Sequence, residues 1–162
     1  MPTDLDWPSW TRALAEAVRK LDDGASLLVT ATGSAARPTL LRKARLGGFV
    51  PARHQVVAPW VRLVRSDEHL RGSCVGSEAA GGRFPFSPAE RSALADLGWH
   101  EPPPLEGEDY THWWPDDVPS GPFLPEDDAR RAAQMVAETF RTVLSPPTAD
   151  DPAPALPTIT TD

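Results

Sequence analysis

Residues 84–104 read FPFSPAERSALADLGWHEPPP, and this stretch decides how the chain is built. Ser87 is placed to cap a helix, its hydroxyl accepting from a first-turn amide that has no other partner. Pro88 follows at the first helical position, where a missing N–H costs nothing. Glu90 stands three residues after Ser87 and can reach back to the cap, completing a capping box. Phe86, just before the cap, can staple onto the first turns. Ala89, Ala93, Leu94 and Leu97 fall on one helical face. Gly98 supplies the left-handed residue that ends the helix, and Trp99 folds back as an apolar anchor. The spacing predicts a short helix with both ends written locally. It carries no catalytic signature.

Around this helix the chain offers one modest core. At 162 residues it has the length of one domain, and 40% hydrophobic with 24% charged residues is ordinary for a globular protein. Its 19 prolines concentrate after Phe84 and mark irregular backbone and a tail. A single cysteine, Cys74, excludes an internal disulfide and fits a reducing cytoplasm. No apolar run approaches the roughly 20 residues of a membrane helix. The opening residues, Met1 to Asp6, are acidic and lack the apolar centre of a signal peptide.

Upstream, Trp7, Trp10, Leu14, Val18 and Leu21 recur at spacings of 3, 4, 4 and 3 and predict a helix over 7–22. Ala25 to Ala31 is a short apolar run and reads as a strand. Further strands are expected over Arg37 to Leu46, Trp60 to Arg65 and His69 to Gly76. Phe49 to Ala58 reads as a loop or irregular edge, broken off by Gly47-Gly48. On the fourth strand Leu70 and Cys74 share a face with Gly72 and Gly76, which leaves room for close packing. Short polar turns between consecutive strands imply an antiparallel meander.

Downstream, Tyr110 to Trp114 reads as a short extended piece among prolines. Ala129, Ala133, Val136, Phe140 and Val143, at spacings of 4, 3, 4 and 3, predict a last helix from Pro125 to Leu144. Glu126, Asp127 and Asp128 suit its positive end. The expectation is an α+β domain over 1–144, ordered α-β-β-β-β-α-(β)-α, with a Pro-rich, unstructured tail over 145–162.

Charge is unevenly placed along the chain. The net −7 divides into −2 over residues 1–35, +6 over 36–83 and −11 over 84–162. The basic centre, Arg37 to Arg71 with Arg42, Lys43, Arg45, Arg62 and Arg65, admits a nucleic-acid surface as the alternative function. Catalytic and metal chemistry find little support. The four histidines show no ligand spacing and no second cysteine stands near Cys74, so neither zinc nor any other cofactor is expected. Asp116-Asp117 and Asp127-Asp128 lack the calcium-loop pattern. A thiol nucleophile at Cys74 sits mid-strand, where a cysteine is usually a small core residue. Ser34 is outside a Gly-x-Ser-x-Gly elbow. An enzyme is therefore not expected.

Binding surface remains. Seven of the twelve aromatic residues lie between Phe84 and Phe123, so the second half of the chain is where an aromatic anchor is sought. Trp113-Trp114 is the telling pair, because neighbours in an extended segment face opposite ways and both cannot enter one core.

The order of helix, strands, Leu97-Gly98-Trp99 with Pro102 beyond, Trp113-Trp114 and a terminal Ala-rich helix resembles the bacterial TY-Chap domains, relatives of type III secretion chaperones and YbjN-like proteins. Arg71 to Glu78 leading into Ser87-Pro88-Ala89-Glu90 is the most specific part, and the likeness spans about Leu5 to Leu144. The segment Gly47 to Pro59 and the prolines between Leu105 and Pro125 depart from the compact pattern. The resemblance implies helices packed on an antiparallel sheet, frequent homodimers, and the holding of a protein or peptide client without catalysis. Trp60, Arg62, Tyr110, Trp113 and Trp114 are the expected partner-binding residues.

Overall fold

The computed structural model describes residues 6–42, 53–103, 107–116 and 123–162, with side chains 40–42 left aside. Lys43, Arg45, Gly47-Gly48 and Phe49 lie outside the described residues.

The first helix, α1 (Trp7–Arg19), starts where the Asp6 side chain accepts from the Ser9 amide at 2.9 Å. It buries Trp10, Leu14 and Val18, the face that the periodicity marked. Strand β1 (Ser26–Thr30) follows, then β2 (Arg37–Arg42) and β3 (Arg53–Val57). After them come β4 (Trp60–Ser66) and β5 (His69–Cys74). The organising helix is α2 (Pro88–Leu97). Its capping box is formed as read: the Glu90 amide donates to Ser87 Oγ at 3.2 Å, and the Ser87 amide donates to Glu90 Oε2 at 2.8 Å. Gly98 takes φ +104°, a left-handed value that ends the helix. Strand β6 (Tyr110–Trp114) and helix α3 (Glu126–Thr139) follow, the helix closing in a π-helical turn over Phe140–Leu144.

The last strand among the described residues is β7 (Thr158–Thr161), and the architecture is α+β, with three helices on an antiparallel sheet of order β6-β5-β4-β1-β7. Two details differ from the expected meander. The segment read as a loop over 49–58 contains β3, which pairs with β2 as a separate two-stranded ribbon. Chain order is therefore broken in the main sheet, and β1 lies directly against β4. The ribbon is tied to α2: the Arg37 guanidinium reaches Glu90 Oε2 at 3.0 Å and lies 5.0 Å from the Phe84 ring centre. Burial pushes the Glu90 carboxyl up, but Arg37 and the Ser87 amide outweigh it and hold the group below its ordinary range.

The segment expected to be an unstructured tail carries β7 (Thr158–Thr161), which pairs with the outer edge of β1. Its strand hydrogen bonds come from β1, so no signal within 145–162 alone announces it.

One face of the sheet is sealed. Leu27, Val29, Val61, Leu63, Leu70 and Cys74 are buried there beneath Trp10, Leu14, Val18, Leu94, Val136 and Phe140 of the helices. Trp99 lies at the centre, with its Nε1 donating to Thr139 Oγ1 at 2.9 Å. Gly72 is needed here, since a Cβ on it would stand 2.8 Å from a ring carbon of Trp114 and 3.2 Å from one of Trp99. No helix among the described residues is long and apolar enough to cross a membrane.

The open sheet face as candidate functional site

Strand alternation sends the remaining side chains to the other face. The register assembles them in rows. Thr30 stands opposite Trp60, and Leu28 opposite Arg62, which in turn faces Ser73 and then Thr111. Val64 faces Arg71, which faces Trp113. Leu28, Trp60 and Val64 are only partly covered, and Arg62 and Arg71 are exposed. Between them lies a shallow concavity of about 730 Å³, bounded on the β6 side by Asp109. Burial pushes the Asp109 carboxyl above its ordinary range, although it accepts from the Gly76 amide at 3.1 Å.

A solvated sheet face normally alternates to polar residues. Here two tryptophans, a leucine and a valine interrupt it, with arginines between them. Trp113 is the largest of these still open, at 45% exposure. It packs edge-on to His69 at 5.8 Å between ring centres, and the Arg71 guanidinium lies 5.8 Å from its own. Large aromatic rings beside a guanidinium are the side chains that most often anchor a bound partner.

Of the five expected partner-binding residues, three share this face: Trp60, Arg62 and Trp113. The other two point the opposite way. Trp114 is 3% exposed and meets Trp99 edge-on at 6.3 Å. Tyr110 is 1% exposed, with its hydroxyl 3.4 Å from Glu101 Oε1. Sequence reasoning did not name Leu28, Val64, Arg71 or Ser73 among the partner-binding residues. The signal for Val64 was present, because Trp60, Arg62 and Val64 alternate along one strand.

Among the described residues, three of the basic side chains named for a nucleic-acid surface, Arg37, Arg62 and Arg65, each meet an acceptor within the chain. Arg37 is consumed by Glu90, and Arg65 donates through Nε to the Asp67 carbonyl at 2.9 Å. Arg62 pairs with Asp162 at 3.6 Å. Cys74 is on the sealed face, and burial first, with the Asp109 charge second, pushes its thiol far up. Iodoacetamide at neutral pH is expected to label Cys74 slowly in the folded protein and rapidly in denaturant. Fast labelling of the folded chain would contradict the burial. Among the described residues, no three His, Cys, Asp or Glu side chains gather as metal ligands.

A family model described as T3SS (YopN, CesT) and YbjN peptide-binding chaperone 3, TY-Chap3, matches residues 2–152. The chain belongs to the TY-Chap3 family. No curated protein and no solved structure matches it. The match runs from ahead of α1 past α3, so this TY-Chap3 chain carries every helix and strands β1 to β6 inside the matched span. The family's peptide-binding description agrees with a site made of exposed apolar and cationic side chains on a rigid sheet. It supports a peptide-binding chaperone role with a protein partner.

Proposed function

We propose that this TY-Chap3 protein holds an extended segment of a client protein across the open face of the main sheet, without chemistry on it. Trp60 and Trp113 are the apolar anchors, and Arg62 and Arg71 take carboxylates or carbonyls of the client. The observation that carries the reading is the Trp60–Arg62–Val64 row facing Arg71 and Trp113 on the side away from the helices. Two strand spacings and four residues of rise separate the two indoles by roughly 16 Å. About five residues of extended chain span that distance.

The test starts with a photoreactive phenylalanine analogue at position 73, on the face, and at position 141, on the helical side. Crosslinking in the native host should recover one client from the first position and not from the second. Trp60→Ala and Trp113→Ala are each expected to weaken binding of the mapped client peptide by about thirty-fold, the effect of losing roughly 2 kcal/mol at an anchor. Unchanged affinity in both variants, with the fold intact, would remove the face from the account. The reading includes a homodimer, which the family resemblance implies, in a reducing cytoplasm, which the single cysteine fits, and light scattering across concentrations measures the assembly.

A further inference from the structure

The outer edge of β1 is filled by the chain itself. Thr158, Ile159, Thr160 and Thr161 stand opposite Thr30, Val29, Leu28 and Leu27. One residue on, the Asp162 amide donates to the Ser26 carbonyl at 3.0 Å. Ladder alternation then turns the amides of Thr160 and Thr158 to β1 as well. The Asp162 carboxylate accepts from Ser26 Oγ at 3.2 Å and lies 3.6 Å from the Arg62 guanidinium. Arg62 also lines the concavity of the open face. One arginine therefore serves both the edge and the face.

The grip on this segment is light. Of the four strand residues only Ile159 is partly covered, and the three threonines are exposed. Both members of the Arg62–Asp162 pair are about half exposed, where an ion pair is weak. The firm attachment comes earlier, where Trp10 Nε1 donates to the Pro157 carbonyl at 2.9 Å inside the core. The strand can peel from β1 while the chain stays moored at Pro157. Once peeled, it leaves a bare row of amides and carbonyls, the template on which an extended peptide adds as a strand.

We propose that residues 158–162 are a resident ligand, and that the client displaces them from the β1 edge with an extended, β-branched segment followed by a carboxylate that reaches Arg62. The proposal rests on the reading of the open face as the client site. It adds a second point of contact and a built-in competitor. Because the competitor is tethered, it acts at an effective concentration in the millimolar range. Only a client that also gains the open face overcomes it.

The test uses the full chain and a fluorescein-labelled peptide of sequence LPTITTD, matching residues 156–162. In Thr160→Pro the resident strand loses the amide that faces β1, and the edge is freed. The labelled peptide should bind this variant at least tenfold tighter than the unaltered chain. Adding Arg62→Gln to the variant, or asparagine for the final aspartate of the probe, should weaken that binding several-fold. Equal affinity for the variant and the unaltered chain overturns the proposal. So does a dimer, seen by light scattering, that Thr160→Pro abolishes, since a second copy's segment would then own the edge. Should the variant not fold, hydrogen exchange on the unaltered chain decides. The Thr160 and Asp162 amides must exchange well before those of β4, and equal protection contradicts the peeling. Trp60→Ala and Trp113→Ala should leave probe binding unchanged. Client affinity unchanged in those two variants, with probe binding to Thr160→Pro still tighter than to the unaltered chain, therefore counts against the open face alone. Client affinity lost in them, with the probe binding Thr160→Pro and the unaltered chain alike, counts against the resident strand alone.

Discussion

Trp99→Ala is expected to lower the unfolding free energy by about 3–5 kcal/mol, read by urea denaturation. The indole is 2% exposed and fills the space where α2, α3 and β6 meet. Its removal leaves a cavity that the rigid sheet beneath cannot close, and the transfer term for a buried aromatic is lost as well. It also strips the partner from Thr139 Oγ1, a fully buried hydroxyl whose proton is committed to the Met135 carbonyl at 2.7 Å. Trp99→Phe, which keeps most of the volume and loses the N–H, should cost clearly less. Equal losses in the two variants would show that the hydrogen bond outweighs the packing.

Gly76→Ala is expected to cost on the order of 3 kcal/mol, at the upper end of overpacking effects. A Cβ there would fall 1.6 Å from the Glu108 carbonyl oxygen and 2.5 Å from its carbon. Those are backbone atoms, so no rotamer change relieves the contact. The Gly76 carbonyl also receives the amides of Arg83 and Phe84, at 3.0 and 2.9 Å, which holds the glycine from its other side. The displaced loop carries Asp109 to the rim of the open face, so client affinity should fall together with stability. Gly72→Ala meets ring atoms of Trp114 and Trp99 instead, at 2.8 to 3.2 Å. Side chains can give way, and the cost should be smaller. Reversal of that order in thermal denaturation would contradict the packing described for the two positions.

How much of this could be read beforehand depends on whether the deciding interactions are local. Both ends of α2 were legible because each is local: Ser87 and Glu90 cap one another across three residues, and Gly98 donates to carbonyls three and four residues back. The burial of α1 followed from a single period. The β2–β3 ribbon was not legible as such, because Leu40-Leu41 blurs the alternation and Arg53, His54 and Gln55 are all exposed, leaving no buried parity in β3. Strand β7 escaped because its partner lies some 130 residues away in the chain, at Thr30 to Leu27. The split of Trp113 from Trp114 was predicted, but not which of them faces inward. Parity could have gone further: Tyr110 and Trp114 are four apart in one strand and must share a face, which is the sealed one. Arg71 was not read as a partner-binding residue, because its place opposite Val64 and Trp113 depends on the register of three strands.

The most direct test of the peptide-holding account is an indole N–H map of the ¹⁵N-labelled protein titrated with the crosslinked client peptide. The six tryptophans report from both faces of the sheet. The account predicts that the signals of Trp60 and Trp113 shift while those of Trp10, Trp99 and Trp114, inside the core, stay in place. Shifts confined to Trp7 and Trp10 on the helical side, with Trp60 and Trp113 unmoved at saturation, would contradict it.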